Sequence, residues 1–237
     1  MKKGRLYLIP TTLGEGTENK TLPPFVLELI KNIDIFIVEN IRTSRRFIKN
    51  MYKEKDIDTI IFYSYGKHDS LDLQEDFLPH IYQGNDVGII SEAGVPCVAD
   101  PGSKIVDFAH QYQVDIVPIT GPSSILLALM ACGFNGQNFS FNGYLPIDKK
   151  ERKKKIKDLE ILSKKQGQTQ IFMETPYRNI QLFESILKVC SKNTKLCIAS
   201  NITLDSENIK TKTIEEWISS NTPDIHKSPT IFLIYSR

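Results

Sequence analysis

The stretch SEAGVPCVADPG, residues 91–102, follows directly on a short apolar run. Gly94 and Gly102 permit backbone conformations, or a close ligand approach, that a Cβ would block. Pro96 and Pro101 stiffen the stretch, and each restricts the residue before it to extended shapes. A rigid loop of small residues after a strand can offer backbone N–H and C=O groups to a flat ligand, or it can be an ordinary connection. These residues alone leave both interpretations open.

Short apolar runs alternate with helical patterns along the chain, separated by Gly, Pro, Asn and Asp. This alternation is typical of βα units on a largely parallel sheet. The predicted strands lie at residues 6–9, 35–38, 59–62, 87–90, 114–118, 169–173, 196–200, 209–213 and 230–235. The second half is built differently and contains a strongly basic helix at 149–164. We therefore predict an α/β protein of two domains, residues 1–118 with the glycine-rich loops and residues 119–237.

The composition is that of a globular protein, because 41% of the 237 residues are hydrophobic and 24% are charged. No apolar stretch approaches the roughly 20 residues that a membrane helix needs, and the first residues do not resemble a signal peptide. The four cysteines have neither CxxC spacing nor a neighbouring histidine. We therefore expect a cytoplasmic protein with reduced cysteines, no membrane segment and no metal.

The net charge of +2 is unevenly distributed, since nine Lys or Arg and three Asp or Glu lie between Lys149 and Lys165. Such a run is either a solvated helix face or a patch for a polyanion such as RNA, where charge supplies most of the affinity. Composition does not decide between the two.

Three loops follow the carboxyl ends of predicted strands, where open α/β sheets bind their ligands. They lie at residues 10–14, 39–42 and 91–102. None has the GxGxxG or the Walker pattern, so neither a dinucleotide nor a nucleoside triphosphate is indicated.

Residues 91–102 resemble the S-D-A-G-x-P-x-x-x-D-P-G signature of the tetrapyrrole methylase superfamily, the class III S-adenosylmethionine-dependent methyltransferases. Five further segments match motifs of its ribosomal RNA branch in order: LYLIPTTLG at 6–14, VENIRTSR at 38–45, GPSS at 121–124, FNGYLP at 141–146 and IFMETPYR at 171–178. The resemblance covers nearly the whole chain. That branch methylates the 2′-hydroxyl of a cytidine in the decoding region of small-subunit ribosomal RNA.

The resemblance implies two α/β domains with an S-adenosylmethionine cleft between them, and usually a homodimer. The cofactor contacts it implies are Pro10, Gly94, Val95, Pro96, Ser123 and Ser124. The two serines can also be simple helix caps, and Pro10 can simply end a strand. The implied partner is ribosomal RNA or the small ribosomal subunit.

Methyl transfer is an in-line displacement, and a ribose hydroxyl needs a base to take its proton. Glu39 is the first candidate for the base or for an orienting group, with Arg42 positioning a phosphate or the Glu39 carboxylate. The two side chains can equally form an ordinary surface ion pair. His68 is a second candidate base, because it stands where the family has a His-Asn pair, although it can be a loop histidine without function.

With RNA as the substrate, Arg42, Arg45, Arg46 and the basic run from Lys149, which includes Lys150 and Arg152, would grip its backbone phosphates. Tyr177 and Arg178 would line the substrate side, although Tyr177 stands where the family has a histidine. Departures from the family pattern fall on the same side. Asn40 and Ile41 replace an acidic residue and a threonine, and Ser200 and Asn201 replace an arginine and a glutamate. Two other functions therefore stay open: a methyltransferase of small, tetrapyrrole-type molecules, and a non-catalytic RNA- or ribosome-binding relative.

Overall fold

Residues 2–65 and 71–237 are described by the structure, a computed structural model. His68, the second candidate base, lies outside the described residues. The chain divides into two units, Met1–Ser123 and Ser124–Arg237, each with its own five-stranded sheet. The sequence prediction placed the boundary earlier, after residue 118. The predicted α/β class is confirmed.

The first unit is built from alternating strands and helices. In chain order they are β1 (Leu6–Ile9), α1 (Glu18–Thr21), α2 (Pro24–Asn32), β2 (Ile35–Val38), α3 (Ile41–Met51), β3 (Ile61–Ser64), α4 (Leu78–Tyr82), β4 (Val87–Ile90), α5 (Ser103–Gln111) and β5 (Ile116–Pro118). All strands pair in parallel, in the order β3-β2-β4-β1-β5. Helices cover both faces of such a sheet, which explains why β2 and β4 are buried along their whole length.

Side chains on successive residues of β2 point to opposite faces of the sheet and build two separate cores. Phe36 and Val38 pack on one face with α2 and α3, through residues such as Ile30. Ile35 and Ile37 pack on the other face with α4 and α5. With both faces filled by apolar residues, the polar groups of this unit gather at the ends of the strands.

The second unit has a mixed sheet. Its elements are α6 (Ser124–Cys132), β6 (Phe139–Tyr144), α7 (Lys149–Gln166), β7 (Thr169–Met173), α8 (Asn179–Val189), β8 (Lys195–Ser200), β9 (Asn208–Thr213), α9 (Ile214–Ile218) and β10 (Thr230–Tyr235). Only β6 and β7 run parallel, in a sheet of order β6-β7-β10-β8-β9. The expectation of a largely parallel sheet is therefore wrong for this unit, because a short connection joins β8 to β9 and β10 returns antiparallel to both of its neighbours.

Helix α7 carries the basic run, and a buried carboxylate anchors it. Glu160 is 3% exposed and accepts hydrogen bonds from Lys157 Nζ (2.7 Å), the backbone N–H of Ser191 (2.6 Å) and Thr194 Oγ1 (2.5 Å). Burial acts to raise the pKa of Glu160, but these hydrogen bonds outweigh it and hold the pKa below its usual value. The ionised carboxylate thus ties α7 to the segment between α8 and β8.

Among the described residues, no helix is both long and apolar enough to cross a membrane. The four cysteines are free thiols; Cys132, Cys190 and Cys197 are buried and Cys97 is half-buried.

Candidate active site

The strands of the first sheet run parallel, so the residues that follow them meet at one edge, which we call the carboxyl edge. Pro10 follows β1, Glu39 follows β2, Tyr65 follows β3 and Ser91 follows β4. The three loops singled out in the sequence therefore lie side by side at this edge, together with Tyr65 at the end of β3.

The loops after β1 and β4 are joined by hydrogen bonds. The backbone N–H of Thr11 donates to the carbonyl of Gly94 (2.8 Å), and the hydroxyl of Ser91 donates to the same carbonyl (3.1 Å). Thr11 and Ser91 are both buried. These bonds fix the start of the glycine-rich loop against the end of β1.

The segment after β5 also packs tightly into this edge. A Cβ at Gly121 would lie 2.1 Å from Cβ of Pro10, and one at Gly94 would lie 2.9 Å from the carbonyl oxygen of Pro122. Such distances leave no room for a side chain, and Gly94 also has a φ of +76°. Three loops therefore pack backbone to backbone, and four of the predicted cofactor residues lie on or beside them: Pro10, Gly94, Val95 and Pro96.

The middle of the glycine-rich loop is held in an unusual conformation. Cys97 (φ 67°) and Ala99 (φ 58°) both lie in the left-handed region, which residues with a side chain rarely adopt. Each such residue costs on the order of 1–3 kcal/mol, and such strain clusters at ligand-binding sites. Gly102 has a φ of +126°, and a Cβ there would lie 2.9 Å from Sγ of Cys97. The strained turn brings Asp100 back towards the carboxyl edge.

Acidic and phenolic side chains gather where these loops meet. Burial raises the pKa of Asp100 to about 7, helped by the charge of Glu39, a hydrogen bond shared with Glu39 and the charge of Glu92. Burial also raises the pKa of the Tyr65 hydroxyl, and the charges of Asp100 and Glu39 add to this effect. We call these four residues the carboxyl cluster.

Two buried atoms of the carboxyl cluster lack a hydrogen-bond partner in the described part of the chain, and its carboxylates lack a cationic one. There, one oxygen of Asp100 (Oδ2) and the Tyr65 hydroxyl are buried without a hydrogen-bond partner. No Lys or Arg among the described residues forms an ion pair with Glu39, Glu92 or Asp100. The same residues include no group of three His, Cys, Asp or Glu that could hold a metal ion. The cluster is therefore suited to exchanging protons and to facing a positively charged ligand.

The first turn of α3 borders the cluster and explains one departure from the family pattern. The Asn40 side chain accepts hydrogen bonds from the N–H groups of Arg42 (2.9 Å) and Thr43 (3.3 Å). Asn caps a helix about as well as Asp, so replacing the family's acidic residue keeps this helix start. The Thr43 hydroxyl donates to Glu92, which links α3 to the glycine-rich loop.

The predicted catalytic and RNA-binding residues of the first unit have different surroundings. Glu39 is half-buried within the carboxyl cluster, whereas Arg42 is exposed on α3. Within the described residues the two side chains form no ion pair with each other. Arg45 donates to Asp58 (2.5 Å), and Arg46 lies 3.6 Å from Glu15. Both arginines would have to exchange these exposed partners to hold a phosphate.

In the second unit the structure separates the predicted basic residues into two kinds. Lys149 and Lys150 are exposed at the start of α7, which Asp148 caps. Arg152 is only 5% exposed; its Nε donates to Ser185 Oγ (3.2 Å) and its Nη1 to the carbonyl of Ile147 (3.1 Å). The prediction of Arg152 as an RNA contact is therefore corrected, because its guanidinium is used to pack α7 on α8.

Arg178 donates from Nη2 to Glu174 Oε1 (2.6 Å) just after β7, and the Glu174 side chain is fully buried. Ser123 ends the first unit and Ser124 begins α6; both are half-buried. The altered segment around Ser200 and Asn201 forms a tight turn in which Asn201 has a φ of 52°. Asn tolerates this left-handed conformation better than most residues, which accounts for one of the two substitutions there.

Three members of the carboxyl cluster were not predicted as site residues: Glu92, Asp100 and Tyr65. Asp100 stands inside the signature at residues 91–102, where the pattern of small residues points to backbone groups and not to side chains. An acidic residue in a loop at the carboxyl end of a strand could have identified it. Tyr65 was overlooked because β3 was predicted to end two residues too early, at 62 instead of Ser64.

Residues 17–218 match the family described as Tetrapyrrole (Corrin/Porphyrin) Methylases. The chain belongs to this family, and the predicted methyltransferase activity is confirmed at that level.

Within the family, the chain is similar to ribosomal RNA small subunit methyltransferase I of several bacteria. It is 28% identical to that of Buchnera aphidicola subsp. Schizaphis graminum, covering 98% of this chain and 79% of the relative. For Vibrio cholerae the values are 27%, 90% and 70%, and for Bacillus subtilis 30%, 91% and 69%. The crystal structure of the methyltransferase CobJ shares the fold, with a TM-score of 0.64 at 14% identity over 98% of this chain and 94% of that one.

Proposed function

We propose that this chain transfers a methyl group from S-adenosylmethionine to a ribose 2′-hydroxyl of small-subunit ribosomal RNA. The observation that carries the proposal is the carboxyl cluster, where Asp100 has a pKa of about 7 beside Glu39. A proton acceptor works best when its pKa is close to the working pH. The similarity to ribosomal RNA small subunit methyltransferase I over nine-tenths or more of the chain supports the choice of acceptor.

The residues at the carboxyl edge fit the cofactor. S-adenosylmethionine supplies a methyl group on a positively charged sulfur and also carries an ammonium group. Glu39, Glu92 and Asp100 have no cationic partner among the described residues, so a cationic ligand would balance their charge. The rigid backbone at Val95 and Pro96 would hold the flat part of the cofactor.

The side chains of the cluster then have separate roles in the reaction. Glu39 would accept the proton of the ribose hydroxyl, and S-adenosylmethionine, when bound, would supply the methyl group that the ribose oxygen takes up. Asp100, whose pKa is raised to about 7, takes up this proton from Glu39 at neutral pH. Tyr65 keeps its proton because burial raises its pKa, and it can donate to a carboxylate.

Exposed cations would hold the RNA backbone. Lys149 and Lys150 at the start of α7 and Arg42 on α3 are exposed and supply positive charge. Ser123 and Ser124 stay in the proposal as cofactor contacts, and Arg45 and Arg178 as RNA contacts. A homodimer and a cytoplasmic location, both expected from the sequence, stay predictions.

Mapping of ribose methylation in the small-subunit RNA of a strain that lacks the gene tests the proposal. Loss of one methylated ribose, restored by the intact gene and not by a Glu39→Gln variant, is the expected result. Calorimetry with S-adenosylmethionine is the companion measurement. Cofactor binding with an unchanged RNA pattern would point to a small-molecule acceptor. Absence of cofactor binding would leave a non-catalytic RNA-binding protein.

A further inference from the structure

Tyr177 is an exposed aromatic residue in a short turn directly after β7. It is 70% exposed and lies in the 3-10 turn Pro176–Arg178. Two groups line its ring: Nζ of Lys227 lies 5.8 Å from the ring centroid, and His226 meets the ring edge-on at 6.3 Å. The ring is therefore open to solvent and has basic side chains around it.

The turn that carries Tyr177 is anchored by an ion pair between a buried glutamate and the partly exposed Arg178. Glu174 accepts from Arg178 Nη2 (2.6 Å) and from the backbone N–H of Thr175 (2.7 Å), and its side chain is fully buried. Arg178 in turn donates its backbone N–H to the carbonyl of Thr175 (2.9 Å). These bonds hold both ends of the turn, so the ring of Tyr177 projects from a rigid support.

The segment that carries His226 and Lys227 is fixed to the same turn. Asn179 is fully buried, and its Nδ2 donates to the carbonyls of Ile225 (3.0 Å) and Ser228 (2.7 Å). The backbone N–H of Lys227 donates to the carbonyl of Pro176 (3.1 Å), and Lys227 takes a left-handed φ of 61°. This connection holds the lysine beside the tyrosine before any ligand arrives.

A second exposed tyrosine belongs to the same surface. Tyr144 is 58% exposed and ends β6, where it pairs with Met173 of the parallel strand β7. It lies near enough to Arg178 for the two side chains to interact electrostatically. We use the name tyrosine patch for the surface formed by Tyr144, Tyr177, Arg178, His226 and Lys227.

Exposed aromatic rings among basic side chains are how proteins bind unpaired nucleotides. Bases stack on the rings, while Lys and Arg meet the phosphates. A base within a duplex is already stacked on its neighbours and cannot offer its face to a side chain. We propose that Tyr177 is the stacking surface for an unpaired base of the RNA substrate, with Lys227 and Arg178 meeting the adjoining phosphates. This inference rests on the proposed function and adds a base-binding site that is separate from the chemistry of methyl transfer.

The kinetic test compares Tyr177→Ala with Tyr177→Phe and Tyr177→Trp, using small ribosomal subunits as substrate. Loss of one stacked base weakens RNA binding by roughly 5- to 150-fold, so KM should rise by this factor in the alanine variant. Both aromatic variants should keep a near-normal KM, and kcat and the affinity for S-adenosylmethionine should stay unchanged in all three. Tyr82→Ala is the matched control, because Tyr82 is 49% exposed, lies in the first unit and also has a lysine over its ring.

A fluorescence test reports stacking directly. The natural Trp217 is only 3% exposed, so a Tyr177→Trp variant gains an exposed reporter. A single-stranded oligoribonucleotide of mixed sequence should quench the added fluorescence, and the same strand annealed to its complement should not. A Tyr82→Trp variant should show no quenching with either.

The outcomes separate the two proposals. If the wild-type protein methylates ribosomal subunits and Tyr177→Ala does so with an unchanged KM, the stacking site alone is overturned. The same holds if phenylalanine fails to restore the KM, or if the single strand leaves the Tyr177→Trp signal unchanged. An unmodified protein that binds no RNA in any form would overturn both proposals.

Discussion

Asp100 shares a hydrogen bond with Glu39 at the carboxyl edge of the first sheet. Burial raises the pKa of Asp100 to about 7, and the charge of Glu39 and this hydrogen bond raise it further. Glu39 follows β2 directly, whereas Asp100 reaches the same place from the far end of the glycine-rich loop. Asp100 therefore exchanges its proton at a pH where an isolated carboxyl is fully ionised.

Replacing Glu39 by Gln should slow methyl transfer while leaving the fold intact. Glutamine has the size of glutamate but cannot take a proton, and loss of a general base lowers rates by about 10²- to 10⁴-fold. Single-turnover measurement with saturating S-adenosylmethionine isolates this step. Glu184→Gln is the control, since Glu184 is an exposed residue of α8 paired with Lys188. An unchanged single-turnover rate would exclude Glu39 as the base.

The rate of methyl transfer should rise with pH through a midpoint near 7. Asp100 can take up the hydroxyl proton through Glu39 only when Asp100 is deprotonated, and its raised pKa sets this change near neutrality. A pH–rate profile of single turnovers between pH 5.5 and 9 measures it. The inflection near 7 should be absent from Asp100→Asn, and its persistence in that variant would assign the titration to another group.

Asp100→Asn should also stabilise the protein at high pH. A carboxyl whose pKa is higher in the folded than in the unfolded state favours folding below its unfolded pKa, and this contribution is lost as the pH rises through about 7. The neutral amide avoids this loss. The Tm difference between variant and unmodified protein should therefore be more positive at pH 8.5 than at pH 5. A difference that does not change with pH would contradict the raised pKa.

Glu160→Gln should destabilise the protein at neutral pH. The ionised carboxylate accepts three hydrogen bonds, and loss of a charged acceptor costs about 1–3 kcal/mol. Because the pKa of Glu160 is lowered in the fold, its contribution is present above the ordinary carboxyl pKa and is lost as the pH falls through the lowered value. Urea unfolding measures the difference in unfolding free energy between the wild type and Glu160→Gln, and this difference should be smaller at pH 3.5 than at pH 7. An equal difference at both pH values would argue against an ionised Glu160 in the folded protein.

The basic residues of α7 should differ in what they contribute. The double variant Lys149→Ala/Lys150→Ala should bind RNA more weakly. The slope of log K against log salt concentration should become less steep by about one for each lysine removed. Arg152→Met should instead lower Tm and leave the salt dependence unchanged, because its guanidinium bonds within the second unit. Filter binding across a salt series distinguishes these cases. An altered salt dependence in Arg152→Met would return this arginine to the RNA surface.

Much of the strand pattern can be read from the sequence. The bounds predicted for β1, β2, β4, β7 and β10 agree with the structure, since most residues of each strand are apolar and polar or turn residues flank it. Strand β6 was missed because it lies at the sheet edge and interrupts its apolar residues with Ser140, Asn142 and Gly143. Weak alternation of this kind does not separate an edge strand from a loop.

The site was only partly predictable for physical reasons. The sequence shows that a loop of small residues follows β4, but the left-handed turns at Cys97 and Ala99 that bring Asp100 towards Glu39 follow from no local rule. The burial of Arg152 could have been foreseen. It stands four residues before Ile156 and so lies on the same buried face of α7, a spacing that the count of charges concealed.

Cys97, held in its left-handed turn against Gly102, has a further chemical consequence. Burial and the nearby Asp100 raise the pKa of its thiol, so little of the reactive thiolate exists at neutral pH. Cys97 should thereby react more slowly with alkylating and oxidising reagents than an exposed thiol of ordinary pKa. The carboxyl edge should consequently be less sensitive to an oxidising environment than a site with an activated thiol at the same place.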